Sequence, residues 1–150
     1  METEIRKMNE SDLINILEIE KEIFSNPWSE KMFLEEIKKH DAFILEDVTK
    51  KNISGYICGW ELHDEYHITN LGVAKKFQRK GLASRLTKFL MEKKIKKGFK
   101  DFFLEVRKSN ISALRFYKKF GFGIIGTRKN YYQKPVEDAI IMHCNSNNFV

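Results

Sequence analysis

At 150 residues, with a formal net charge of +6, 42% hydrophobic and 32% charged residues, the chain can bury one core without staples and is too evenly mixed for intrinsic disorder. No apolar run is long enough to cross a bilayer and the start, METEIRKMNESD, lacks a signal-peptide core, so a cytoplasmic protein is expected. Cys58 and Cys144 are too far apart for a zinc motif or a disulfide framework, and His40, His63, His67 and His143 form no ligand spacing, so no metal is expected.

In chain order, Ser11 or Asp12 caps a predicted helix carrying Leu13, Ile16, Leu17, Ile19, Ile23 and Phe24 at helical spacing. Asn26-Pro27-Trp28 breaks it, and Ser29 caps a second helix with Met32, Phe33 and Ile37. Residues 42–46 and 53–61 read as strands around a polar Lys50-Lys51-Asn52 turn, and 65–73 as a third. Residues 82–97 make a helix that Gly98 ends. A strand follows at 101–106, then a helix from the cap Asn110 to Lys119, closed by Gly121. Strands at 123–128 and 138–144 flank a Tyr131-Tyr132 loop, and 145–150 is expected to fray. Strand–helix–strand in the second half predicts a parallel crossover and the earlier hairpin an antiparallel pair, hence a mixed sheet.

Charge is unevenly placed. Residues 75–100 hold eleven Lys or Arg against one acid, Glu92, and the rest of the chain is net acidic. Such a patch fits an anionic partner: nucleic acid, a membrane surface or a phosphorylated cofactor. Within it, a strand ending Leu71-Gly72-Val73 passes through a basic turn into a helix opening at Gly81-Leu82-Ala83. Small residues there let backbone N–H groups approach a diphosphate, and the helix N-terminus adds unpaired donors and positive dipole. A glycine opening a helix is also an ordinary structural device.

The spacing Gln78-x-x-Gly81-x-Ala83 after Leu71-Gly72-Val73 resembles the pyrophosphate loop of the GNAT superfamily of N-acetyltransferases. Leu104-Glu105-Val106-Arg107-Lys108-Ser109-Asn110, followed by Ala113, Tyr117 and Gly121-Phe122, resembles that superfamily's second half. Asn26-Pro27-Trp28-Ser29 and Arg128-x-x-Tyr131-Tyr132 before Glu137-Asp138-Ala139-Ile140-Ile141-Met142 are similar to the branch that acetylates the N-terminal alanine of a ribosomal protein. The resemblance covers roughly residues 5–143. Two departures are minor: Ala74-Lys75-Lys76 replaces the usual Asp or Asn-Pro turn, and Ala83 stands where Gly is common.

The resemblance implies an α/β (α+β) fold: a mixed central sheet splayed into a V, with helices on both faces, in a single acetyltransferase domain over residues 1–150. It implies acetyl-CoA as co-substrate, with Leu71, Gly72 and Val73 along its pantetheine and acetyl group. Gln78, Arg79, Lys80, Gly81, Leu82, Ala83 and Ser84 would hold the pyrophosphate, and Asn110 would contact the cofactor arm. Glu105 matches the family's general base and Tyr117 its general acid. Trp28, Tyr131 and Tyr132 would meet the acceptor.

The chemistry needs such groups. An amine must lose a proton before it attacks a thioester, the developing oxyanion needs a donor such as the Val73 N–H, and the departing thiolate benefits from a proton. Each residue also has a plainer role: Glu105 solvent-facing on an edge, Tyr117 core, Asn110 an N-cap, Trp28 a packing anchor, Tyr131 and Tyr132 hairpin surface aromatics. The expected acceptor is a protein or peptide N-terminus, in particular a ribosomal protein starting with alanine. Two alternatives are a GNAT enzyme acting on a protein lysine or a small amine, and a non-catalytic ribosome- or nucleic-acid-binding module. The last would need salt-sensitive nucleic-acid binding as its main activity, and no stacking platform or base-reading motif is seen. No membrane partner and no direct nucleic-acid function are expected, and the chain is expected as a monomer or weak dimer.

Overall fold

A computed structural model describes residues 2–149. Seven strands and four α-helices follow one another as β1 (Thr3–Lys7), α1 (Leu13–Ile23), α2 (Glu30–Lys39), β2 (Asp41–Asp47), β3 (Asn52–Leu62), β4 (Glu65–Val73), α3 (Leu82–Lys97), β5 (Asp101–Arg107), α4 (Ile111–Lys119), β6 (Gly123–Tyr132) and β7 (Glu137–Asn145). The strands hydrogen-bond in the order β1-β2-β3-β4-β5-β7-β6. β4 and β5 are parallel, and β1–β2, β2–β3, β5–β7 and β6–β7 are antiparallel. The mixed α/β fold expected from the sequence is therefore present. Two compact units can be distinguished, Met1–Trp60 with Thr69–Lys93, and Glu61–Ile68 with Lys94–Val150.

In the first unit β2 is buried on both faces. Ala42 and Ile44 join Leu13, Ile16 and Ile19 of α1, Phe33 of α2, and Tyr56 and Cys58 of β3 in one cluster. On the opposite face Phe43 meets Phe89 of α3 edge-on at 5.1 Å. Covering both faces explains why this strand reads as an unbroken apolar run rather than an alternating one. Cys58 is fully buried, and burial, with the charges of Glu36 and Glu20 adding to it, pushes its thiol well above the ordinary value.

Three details depart from the sequence reading. β1 was not expected: Thr3–Lys7 pairs with β2 from Thr3↔Asp47 to Lys7↔Phe43. Asp12 does not cap α1 with its side chain. It sits in a 3-10 turn, Glu10–Asp12, and accepts two bonds of 2.9 Å from the Arg6 guanidinium, which also donates to Glu46. Burial opposes ionisation there, yet Arg6 and the Asn9 N–H hold the Asp12 carboxyl below its ordinary value. Finally, α1 ends at Ile23, and Phe24 is extended. Ser29 does cap α2, accepting from Met32 N.

In the second unit the β4–β5 ladder runs from Glu65↔Asp101 to His67↔Phe103. β5 alternates strictly, with Phe102, Leu104 and Val106 buried and Phe103, Glu105 and Arg107 half-buried. The Lys94 ammonium is almost fully buried, 2.8 Å from Glu61 and over the Tyr66 ring. Gly98 and Gly121 end their helices at φ +109 and +98, the left-handed conformation glycine adopts without strain. Beyond β7, Ser146–Asn148 forms a 3-10 turn, Ser146 N donates to Lys100 O, and Phe149 stacks on Phe120 at 6.1 Å. Val150, the last residue of the expected frayed tail, lies outside the described residues. Among the described residues no helix is long and apolar enough to cross a membrane.

Candidate active site

The segment expected to hold the pyrophosphate, residues 78–84, belongs wholly to the first unit. After β4 the chain makes a 3-10 turn at Lys75–Phe77 and enters α3 at Leu82. Arg79 and Gly81 take positive φ, +64 and +78, and a Cβ on Gly81 would meet nothing within 4 Å. Glycine is thus favoured at 81 by backbone conformation, and the space beside it is open. Gln78 Nε2 donates to Val73 O at 2.9 Å, tying the turn to the strand end. Arg85 N reaches Gly81 O, which leaves the amides of Leu82, Ala83 and Ser84 in the first turn without intrahelical partners. Lys75, Lys76, Arg79 and Lys80 are exposed around it, and two of them lie over the Phe77 ring. Open backbone donors ringed by exposed cations suit a diphosphate.

Gly72 precedes that turn in a crowded place. A Cβ there would stand 2.4 Å from the Tyr56 hydroxyl, and one on Gly55 would stand 2.9 Å from Gly72 O. Two backbones approach closely because neither carries a side chain. Trp28 is half-buried, its ring against Phe33 at 5.1 Å, and its backbone N–H donates to Glu20. Leu71 is half-buried and Val73 buried.

In the second unit Glu105 faces the same side of β5 as Phe103, with its side chain 30% exposed. Arg128 of β6 brings Nε to 2.8 Å from Glu105 Oε2. That oxygen is itself buried and receives no hydrogen bond, so the contact is an ion pair. Arg128 also lies over Tyr131 at 5.8 Å, and Arg107 over Tyr132 at 4.4 Å. Arg107 donates to Gln133 O, Pro135 O and Glu137, tying the β6–β7 turn to β5. Burial first, then the Glu105 charge, pushes the Tyr132 phenol up to about 12. Contrary to the sequence reading, Tyr131 and Tyr132 are not in a loop: they end β6, and the turn follows them. The edge strand is held at this end by the Tyr132↔Glu137 pairing with β7.

Tyr117 is 7% exposed in α4, edge-on to Phe116 and Phe122 at 5.1 and 5.5 Å. Burial pushes its phenol upward, so it holds its proton at neutral pH. Asn110 is the N-cap of α4, accepting from Ala113 N at 3.1 Å. Among the described residues no group of three or more His, Cys, Asp or Glu side chains could hold a metal ion.

The sequence motifs did not single out Glu20, a helix carboxylate at 2% exposure. It accepts from Trp28 N (2.9 Å), Tyr56 Oη (2.6 Å) and Asn70 Nδ2 (3.0 Å). An acid at an apolar helix position was the available clue.

The profile of the Acetyltransferase (GNAT) family matches residues 13–122. The chain belongs to the GNAT family of acetyltransferases. Among GNAT relatives, it is 31% identical over 141 residues to the [Ribosomal protein bS18]-alanine N-acetyltransferase of Escherichia coli, covering 92% of this chain and 94% of that one. The crystal structure of the ribosomal-protein-S18-alanine N-acetyltransferase from Escherichia coli superposes with a TM-score of 0.87 at 31% identity, over 96% of this chain and 94% of that one. Arabidopsis thaliana Naa50, solved with the bisubstrate analogue CoA-Ac-MVNAL, shares the GNAT fold at a TM-score of 0.82 and 21% identity, over 95% and 98% of the two chains.

Proposed function

We propose that this N-acetyltransferase, acting as one domain over residues 1–150, transfers acetyl from acetyl-CoA to the α-amino group of a protein N-terminus, specifically that of a ribosomal protein beginning with alanine. The observation that carries the reading is the likeness to the Escherichia coli alanine N-acetyltransferase along nearly the whole of both chains. The Glu105 carboxylate, set among Arg128, Tyr131 and Tyr132, supports it. A proton acceptor beside half-exposed aromatics is what a peptide amine requires.

When bound, acetyl-CoA supplies the activated acyl group. The amides and side chains of Gln78, Arg79, Lys80, Gly81, Leu82, Ala83 and Ser84 hold its pyrophosphate, with Asn110 on the cofactor arm. Backbone groups of Leu71, Gly72 and Val73 take the pantetheine and acetyl end, and the Val73 N–H serves the developing oxyanion. Glu105 takes one proton from the ammonium and releases it to solvent, and the free amine attacks the carbonyl carbon. As the C–S bond breaks, the second nitrogen proton passes to Glu105, leaving the neutral amide. Tyr117, still protonated at neutral pH, gives its proton to the sulfur and recovers one from solvent when coenzyme A leaves. Trp28, Tyr131 and Tyr132 hold the peptide. The enzyme works in the cytoplasm as a monomer or weak dimer.

Mass spectrometry of Ala-, Ser- and Met-starting peptides with acetyl-CoA, beside N-blocked peptides with an internal lysine, tests this reading. Acetylation confined to the free N-terminus, fastest on alanine, is expected. Modification of the blocked lysine peptides alone would replace the reading with a lysine acetyltransferase.

A further inference from the structure

We infer that Glu20 is a positioning residue for acyl transfer: through Tyr56 and Asn70 it fixes the β4 strand end at Gly72, and through the Trp28 amide it fixes the turn between α1 and α2. Resting on the assignment of Leu71-Gly72-Val73 to the acyl end of the co-substrate, the inference extends to a residue that touches neither substrate.

The geometry is specific. Glu20 is buried, and among the described residues three neutral donors face its oxygens: Tyr56 Oη and Asn70 Nδ2 on Oε1, and Trp28 N on Oε2. Each donor comes from a different segment: the turn before α2, the middle of β3, and β4 two residues before Gly72. The Tyr56 hydroxyl that Glu20 aims is the atom lying against Gly72, close enough that any Cβ there would collide with it. Gly55 lets Gly72 O approach from the neighbouring strand. From Gly72 the chain runs to Val73, whose carbonyl takes the Gln78 bond. The carboxylate is therefore the common anchor of the strand end and of the Trp28 turn, and a misplacement of about 1 Å at either is the scale on which roughly a hundredfold in rate is lost.

Glu20→Gln keeps the volume but turns an NH2 group toward one of the three donors. Tyr56→Phe keeps the buried ring and deletes only the hydroxyl at Gly72. Rates on an Ala-starting peptide, measured well below each melting midpoint, should show kcat down roughly tenfold in Glu20→Gln and less in Tyr56→Phe. KM for acetyl-CoA should stay within about twofold, because the residue 78–84 segment is untouched. A merely structural carboxylate would lower the melting midpoint and leave kcat of the folded protein unchanged. Wild-type kcat in both folded variants overturns the inference. If Glu20→Gln does not fold, Tyr56→Phe alone decides. A wild-type chain that acetylates no peptide N-terminus overturns the proposed function and this inference with it, whereas an active wild type with unaffected variants overturns the inference alone.

Discussion

The Arg128 guanidinium comes within 2.8 Å of Glu105 Oε2, a buried oxygen that receives no hydrogen bond, so an ion pair between β6 and β5 holds the carboxylate in place. Under the proposed mechanism this carboxylate takes a proton from the incoming ammonium. Glu105→Gln preserves the shape and removes the base. Coenzyme A binding should be near normal and turnover near neutral pH should fall roughly a hundredfold or more. The deficit should shrink at high pH, where free amine is abundant. Wild-type turnover in the variant would send the proton by another route.

Tyr117→Phe separates packing from proton donation. The ring, set edge-on between Phe116 and Phe122, is kept, so a packing role predicts normal turnover and a stability change below about 1 kcal/mol. A donor role predicts a folded, cofactor-binding protein with slowed turnover, because the thiolate leaves without its proton. Thermal melts and steady-state rates on one Ala-starting peptide distinguish them, and full activity would return Tyr117 to the core.

Gly81→Glu should abolish coenzyme A binding measured by calorimetry. The backbone there is left-handed at φ +78, which any side chain strains, and a carboxylate would also repel the pyrophosphate at the start of α3. Lys75 and Lys76 replaced together by Gln should weaken binding modestly, and less at high salt. Unchanged affinity in a folded Gly81→Glu protein would remove the phosphate assignment.

Stability should decline in alkali. Burial raises the phenol groups of Tyr56, Tyr117 and Tyr132, the last to about 12. The folded chain therefore keeps protons that the unfolded chain releases near pH 10. This contribution is whole below about pH 10 and is lost as pH rises beyond it, through the range where Tyr132 titrates. Melting midpoints at about pH 8 and about pH 11 should differ downward. A flat profile would contradict the burial of these rings.

Much of the fold was legible because local signals agreed with the tertiary outcome. The Ser29 and Asn110 caps, the glycines at 98 and 121, and the strict alternation of Phe102 to Arg107 each point one way. β1 was not, since a strand as short and charged as Thr3–Lys7 owes its pairing to β2 rather than to its own residues. Asp12 misled because Arg6, distant in local pattern but adjacent across the fold, is a stronger partner than a helix amide. At the candidate site, motifs pointed to Glu105 and the residue 78–84 segment. No spacing rule links Glu20 to Tyr56 or Asn70, which lie 36 and 50 positions away.

Cys58 gives the chain a built-in clock. A thiol with no solvent exposure and a strongly raised proton affinity presents neither access nor thiolate to an alkylating reagent. Its modification must wait for β3 to open, so labelling kinetics of a Cys144→Ser chain would time the excursions of the Glu20–Tyr56 core rather than the chemistry of a surface thiol.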